Sequence, residues 1–290
     1  MRRYGDSVAR PTSTARRELG GELRRLRGER RAVDVATALG WSESKLSRIE
    51  TAHTGITEAD LDRLLTLYGV RAEERGRLRD LAHRGRVRAW WTPYRSSMPD
   101  PYDEYLALEA DATLISQWEA QVMPGLLQTD EYARAVIESG ADIDDVDVIQ
   151  RRLDVRMGRG ERFFRKDPEP RLDVVLDQGV LMREVGGRQV LVRQLQRLLE
   201  ATAQPGVEVL ILPFEAGAHA GLTESFLVLE FGEGTRNPVV HSEGLTGGHF
   251  RVKPEEIDVY QEAFDDLRER ALSKEESRTV IAESRDRLAR

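Results

Sequence analysis

Residues 32–50, AVDVATALGWSESKLSRIE, set two short apolar-striped segments on either side of one glycine, and this pattern leaves few folds open. Val35, Ala36 and Leu39 fall on one side of the first segment, Leu46 and Ile49 on one side of the second. Gly40 supplies a residue that tolerates the left-handed backbone of a sharp helix-to-helix turn. Ser42 stands where its hydroxyl caps the second helix by accepting a first-turn N–H. That helix has only two inward residues, so Glu43, Ser44, Lys45, Ser47 and Arg48 face out.

The flanking sequence supplies the rest of a small helical domain. Leu19, Leu23 and Leu26 form a stripe in ARRELGGELRRLRGERR. In ITEADLDRLLTLYGV, Thr57 is placed to cap a helix with Leu61, Leu64, Leu65 and Tyr68 inward, and RAEERGRLRDLAHRGR adds a helix on Leu78 and Leu81. Five short helices over residues 15–89 make a compact all-α domain, preceded by a disordered stretch, 1–14, rich in Gly, Ser, Thr and Pro. WWTPYRSSMPDPY, residues 90–102, reads as a linker, with Trp90 and Trp91 expected to dock on a neighbouring domain or a second subunit.

Residues 103–290 read as a mixed α/β domain with a small sheet, so the fold class is α+β. Strand signals lie at 171–176, 207–214, 225–231 and 238–243. Helical patterns cover YDEYLALEADATLISQWEAQV, a segment capped near Thr129, DIDDVDVIQRRLDVRMGRGERFF, RQVLVRQLQRLLEATA and two final helices, the last with a Ser273–Glu276 capping box.

The net charge of −7 averages two unlike parts: residues 1–89 hold 20 Lys and Arg against 13 Asp and Glu, and the remainder 24 against 38. A basic end beside an acidic one suggests a polyanion-binding part and a part employed otherwise. The absence of Cys excludes disulfides, Cys-ligated zinc and a Cys nucleophile. With no apolar leader behind the first arginines and no apolar run of spanning length, a cytoplasmic location without membrane attachment is expected.

Ala36, Gly40 and Ile49 hold the small, positive-φ and core positions of a helix-turn-helix, whose second helix enters the DNA major groove. LGGELRRLR…VATALGWSESKLSRIET resembles the Xre/lambda-repressor-like domain in its actinobacterial form. The resemblance implies that Glu43, Ser44, Ser47 and Arg48 read bases, that Lys45 serves phosphate or base, and that Glu50 pairs with an arginine of the first helix, Arg27 or else Arg25. The chemistry agrees: Arg grips guanine O6 and N7 with two bonds. Arg24, Arg25, Arg30, Arg31 and Lys45 suit phosphates, which give salt-dependent affinity without sequence choice. Two departures stand out. The GERRA turn is about two residues short, with Arg31 and Ala32 where a Ser/Thr cap and a Gln are usual in the family. Ala52 replaces the usual Gly, so Gly55 is expected to take the positive φ.

In the second part, WW, YLALEADA, MPGLLQTDEYARA, DQGVLMREVGGRQVLVRQLQRLLE, VEVLILPFEAGAHAG and ALSKEES resemble the uncharacterised domain commonly fused to Xre-type domains in actinobacteria. That resemblance extends to WhiJ-like regulators, which act beside small BldB-like partner proteins. It implies a regulatory or partner-sensing role, and with the helix-turn-helix the chain reads as a sequence-specific transcriptional regulator on double-stranded DNA, expected as a homodimer because one short helix reads too few bases and paired half-sites add affinity. Its C-terminal domain would dimerise, sense a small-molecule effector or receive a BldB-like partner. No cofactor and no metal is expected. His219, His241, His249 and Glu243 match no zinc spacing, and DIDDVDVI lacks the Gly and Glu of a calcium loop and reads as helix-start acids. Two alternatives remain: an enzyme with His219, Ser225, Glu243 and His249 as first suspects, and an antitoxin-like neutraliser of a small partner.

Overall fold

The computed structural model describes residues 14–86, 90–98, 102–140, 145–166, 169–232, 236–245 and 247–290. The expectation of disorder for residues 1–14 lies outside them except at Thr14, as do residues 99–101 of the linker and 142–144 of the acidic stretch. The chain divides into two compact units, Met1–Thr92 and Pro93–Arg290.

The first unit is helical: α1 (Thr14–Arg27), α2 (Ala32–Leu39), α3 (Glu43–Glu50), α4 (Glu58–Tyr68) and α5 (Ala72–Arg86). One apolar core unites them, built on Leu19, Leu23, Val35, Leu39, Leu46, Ile49, Leu61, Leu64, Leu65, Leu78 and Leu81. These are the striped positions of the sequence, and burial of each such side chain contributes about 1.5–3 kcal/mol. Trp90 and Trp91 meet edge to face, ring centroids 5.7 Å apart.

The second unit is a six-stranded mixed sheet with helices: α6 (Tyr102–Asp111), β1 (Leu114–Glu119), α7 (Asp130–Glu138), α8 (Val146–Phe163), β2 (Arg171–Asp177), α9 (Arg188–Ala201), β3 (Val207–Leu212), β4 (Phe226–Glu230), β5 (Val239–Gly244), β6 (Gly247–Arg251), α10 (Pro254–Arg270) and α11 (Lys274–Ala289). Strand order is β3-β2-β1-β4-β5-β6. The first three strands are parallel, joined by helical crossovers, and the last three antiparallel, as short connections require. Trp118, in register with Val175 and Phe226, anchors one sheet face beneath Ile257, Phe264 and Leu267 of α10. Asp145 caps α8, giving the acids at its start a helix-capping use. The Ser273–Glu276 capping box is formed.

One expectation is corrected, and one strand is added to those the sequence signalled. LISQWE, read as the continuation of a helix, is the strand β1 at the heart of the sheet. Thr113 N–H donates to Glu230 O at 2.9 Å, so the chain leaves α6 directly into pairing. A strand buried on both faces loses its alternation and reads equally as helix. Likewise GGHFR forms β6, an edge strand whose two glycines hid it.

Candidate nucleic-acid interface

The α2–α3 turn is fixed by its caps. Gly40 adopts φ 69° and closes α2, with Trp41 N–H reaching back to Ala36 O at 2.8 Å. The Ser42 hydroxyl accepts from Lys45 N–H at 3.2 Å and opens α3. Arg31 stands at the N-cap of α2 with no side-chain cap bond. The positive φ after α3 falls on Ala52, at 62°, and not on Gly55, which corrects the expectation. Ala52 N–H bonds Ile49 O, and Thr54 N–H bonds Arg48 O, so the chain must reverse at Ala52 itself.

The seat of α3 is made by α1. Gly20 passes so near the end of α3 that a methyl there would lie 2.6 Å from Glu50 O and 2.9 Å from Ile49 O. Arg27 holds Glu50 through two parallel bonds, Nε to Oε1 at 2.7 Å and Nη2 to Oε2 at 3.1 Å. Arg27 also donates to Arg30 O at 2.8 Å, pinning the short turn before α2. The hydrogen bond from Arg27 to Glu50 raises the arginine pKa above its ordinary value. Tyr68 has its hydroxyl buried without a partner among the described residues, and burial first, then the Glu50 carboxylate, push it up to about 12.

The outward edge of α3 is bare. Glu43, Ser44, Ser47 and Arg48 are exposed, and among the described residues the Arg48 side chain bonds within its own helix, donating to Ser44 O at 3.2 Å. Lys45 differs: its ammonium bonds Asp60 at 2.8 Å and lies 4.3 Å from the Trp41 ring centroid. That bond holds the Asp60 carboxyl below its ordinary pKa. Among the remaining basic residues, Arg24 and Arg31 are exposed, and their side chains make no hydrogen bond or ion pair with the described residues. Arg25 is engaged by Glu22 and Glu74, and Arg30 lies over the Tyr68 ring, 5.6 Å from its centroid. Trp41, Asp60 and Gly20 did not emerge from the sequence as contributors. The double glycine inside a good helix was the available signal, since each costs about 1 kcal/mol there without a packing reason.

The second unit does not gather its suspects. His219 packs edge-on against Trp118, the Ser225 hydroxyl accepts from Ala120 N–H, and Glu243 and His249 are exposed. Among the described residues no hydrogen bond joins any two of His219, Ser225, Glu243 and His249, and no group of three His, Asp or Glu is disposed to hold a metal. His241 is instead a core residue, stacked between Tyr105 and Phe250 at 4.7 and 4.8 Å. Burial, with nearby Arg159, pushes its pKa down to about 4. Arg159 is itself buried, bonded to Glu109 at 2.8 Å and to Tyr105 at 2.8 Å. Loss of solvent contact lifts Glu119, beside Gln117 and Ser225, up to about 7.

Small residue, left-handed glycine, capped second helix and exposed outer edge define a helix-turn-helix protein. Residues 18–78 match a family described as helix-turn-helix domain. Residues 102–283 match the family described as Domain of unknown function (DUF5753), and the chain belongs to that family. No curated protein and no solved structure matches the chain. No described helix is long and apolar enough to cross a membrane.

Proposed function

We propose that the chain is a sequence-specific, DNA-binding transcriptional regulator of the Xre/lambda-repressor-like kind, WhiJ-like in layout, acting in the cytoplasm as a homodimer. The observation that carries this reading is the contrast across α3. Its inner side is fixed by Leu46, Ile49 and the Arg27–Glu50 pair, while the side chains of Glu43, Ser44, Ser47 and Arg48 are exposed and make no hydrogen bond or ion pair beyond α3 among the described residues. An isolated surface helix needs no such bracing, whereas a reading helix must hold its side chains in register with base edges.

In this reading Arg48 grips a guanine edge, Ser44 and Ser47 serve bases or phosphates, and Glu43 accepts from a cytosine amino group. Arg24 and Arg31, unengaged, take phosphates. Arg25, Arg30 and Lys45 reach phosphates only by exchanging partners within the domain. Residues 15–89 bind DNA, 90–102 link, and 103–290 serve dimerisation, effector sensing or a small BldB-like partner. The second unit has a regulatory role and not a catalytic one. The test is selection from a pool of random duplexes by the purified full chain at physiological salt. Enrichment of two half-sites about one helical turn apart is expected; a pool recovered unchanged refutes the reading.

A further inference from the structure

Helix α3 carries two cations, Lys45 and Arg48, and the fold treats them oppositely. Arg48 stays on the bare edge, bonded within its own helix. Lys45 is drawn aside: its ammonium donates to Asp60 Oδ2 at 2.8 Å and stands 4.3 Å from the centroid of the Trp41 ring. Both grips come from outside α3, Trp41 from the turn before it and Asp60 from the first turn of α4. Trp41 packs against the core of the helical unit, so its ring is a fixed surface. Asp60 is fixed through its backbone, whose N–H donates to the capping Thr57 hydroxyl at 3.2 Å. Arg63, the other cation near that carboxylate, stands 3.9 Å away and donates to Leu39 O instead. Lys45 is thus the cation hydrogen-bonded to the Asp60 carboxylate among the described residues.

This bond is open to exchange. The two side chains are 39% and 20% exposed. A lysine ammonium is a compact charge on a flexible four-carbon stem, and a phosphate oxygen offers it the same sign and the same kind of bond as a carboxylate oxygen. Nor does α4 depend on the bond, since Thr57 caps that helix and Glu58 also places negative charge in its first turn. We infer that Asp60 is a positioning residue for DNA binding: its carboxylate takes the place of a phosphate on Lys45, holds that cation off the duplex, and leaves Arg48 as the cation that α3 presents. The role of Asp60 rests on the DNA reading proposed above and deepens it. Phosphate contacts strengthen every duplex alike and carry no sequence information. A carboxylate that withholds one of them lowers the sequence-independent share of the affinity and leaves base reading by Arg48 unaltered.

The test is a salt series of mobility shifts with the full chain, on the duplex that the wild type selects and on a shuffled one. Wild type, Lys45→Met, Asp60→Asn and the double variant Lys45→Met/Asp60→Asn are compared. Asp62→Asn is the control, because it removes the same charge from α4 but releases Arg79, not a cation of α3. Asp60→Asn should tighten both duplexes about two- to fivefold, the range an exposed ion pair can withhold. It should also steepen the slope of log affinity against log salt by about 0.9, one phosphate contact. Lys45→Met should leave the wild-type slope unchanged, the double variant should return to it, and Asp62→Asn should not steepen it. A Lys45→Met slope already shallower by one contact places Lys45 on the duplex in the wild type, and overturns the role of Asp60 whether or not Asp60→Asn folds. A folded Asp60→Asn with no gain overturns it too, as does a gain that persists in the double variant, that Asp62→Asn matches or that is confined to one duplex. In all these outcomes the wild type still selects its duplex, and the DNA reading stands. A wild type that binds neither duplex overturns both.

Discussion

Arg27, the last residue of α1, clasps Glu50, the last residue of α3, with two bonds of 2.7 and 3.1 Å, and the two side chains are 17% and 7% exposed. The pair is both a clamp on α3 and a largely desolvated charge. Removing one partner leaves the other uncompensated, which costs about 3 kcal/mol. Glu50→Gln is therefore expected to lower the unfolding free energy of the helical unit by that amount. Hydrogen exchange would show the loss first in α1 and α3. Base preference should survive in the folded fraction, because Glu50 lies away from the bare edge. A Glu50→Gln protein of unchanged stability would show that the clamp contributes nothing net.

Gly20 and Gly21 are adjacent in α1 and should respond in opposite directions to the same substitution. A methyl at Gly20 meets backbone oxygen of α3 at 2.6 Å, while at Gly21 nothing lies within 4 Å. Gly20→Ala must push α1 and α3 apart, and overpacking of this kind costs about 1–3 kcal/mol even against the helix propensity gained. Gly21→Ala should stabilise by about 0.5–1 kcal/mol. Chemical denaturation of the two variants, compared with wild type, reads both signs at once.

The helical unit was legible because its core is local: each leucine stripe belongs to one helix, and Ser42, Thr57 and Gly40 mark ends by chemistry that acts over a few residues. The Lys45–Asp60 bond and the approach of Gly20 to Glu50 were not, because they depend on how helices distant in sequence cross. Ala52 misled for a related reason. The bonds of Ala52 and Thr54 to the end of α3 impose the reversal at that residue, whatever its preference. In the second unit the parallel strands β2 and β3 announced themselves as apolar runs. β1 did not, since Ser116 and Gln117 are buried polar residues in the middle of the sheet. β6 offered neither alternation nor β-branched residues to read.

Arg48 and Arg24 should fail differently when removed. Arg48→Ala is expected to weaken binding to a selected site by about 1–3 kcal/mol and to relax the choice of base there. Arg24→Ala should weaken all duplexes alike and reduce the slope of log affinity against log salt by about one phosphate contact. Lys45→Met should do less than either to affinity, because the ammonium is already committed to Asp60. Its cost falls on stability, at about 0.2–1 kcal/mol for so exposed a pair. Mobility shifts across a salt series separate the three. If Arg48→Ala keeps full preference, Arg48 is not a reader.

Glu119 and His241 give the second unit two opposed dependences on pH. Glu119 is lifted from 4.5 to about 7 by loss of solvent contact, so the folded chain keeps a proton that the unfolded chain releases. Its stabilising share is full below about pH 4.5, declines as pH rises, and is gone by about 7. His241 is depressed from 6.5 to about 4 by burial and by Arg159, so the unfolded chain takes up a proton that the folded one refuses. Stability from that group rises with pH from about 4 and levels off near 6.5. Across the shared window the two slopes, each at most about 1.4 kcal/mol per pH unit, cancel in the wild type. Glu119→Gln should unmask the rising slope of His241. His241→Phe, which preserves the stack between Tyr105 and Phe250, should unmask the falling slope of Glu119. The difference in unfolding free energy from wild type, measured from pH 4.5 to 7, isolates each group, because every other carboxylate is common to the pair of curves. Parallel curves for wild type and both variants would mean that neither proton is coupled to folding.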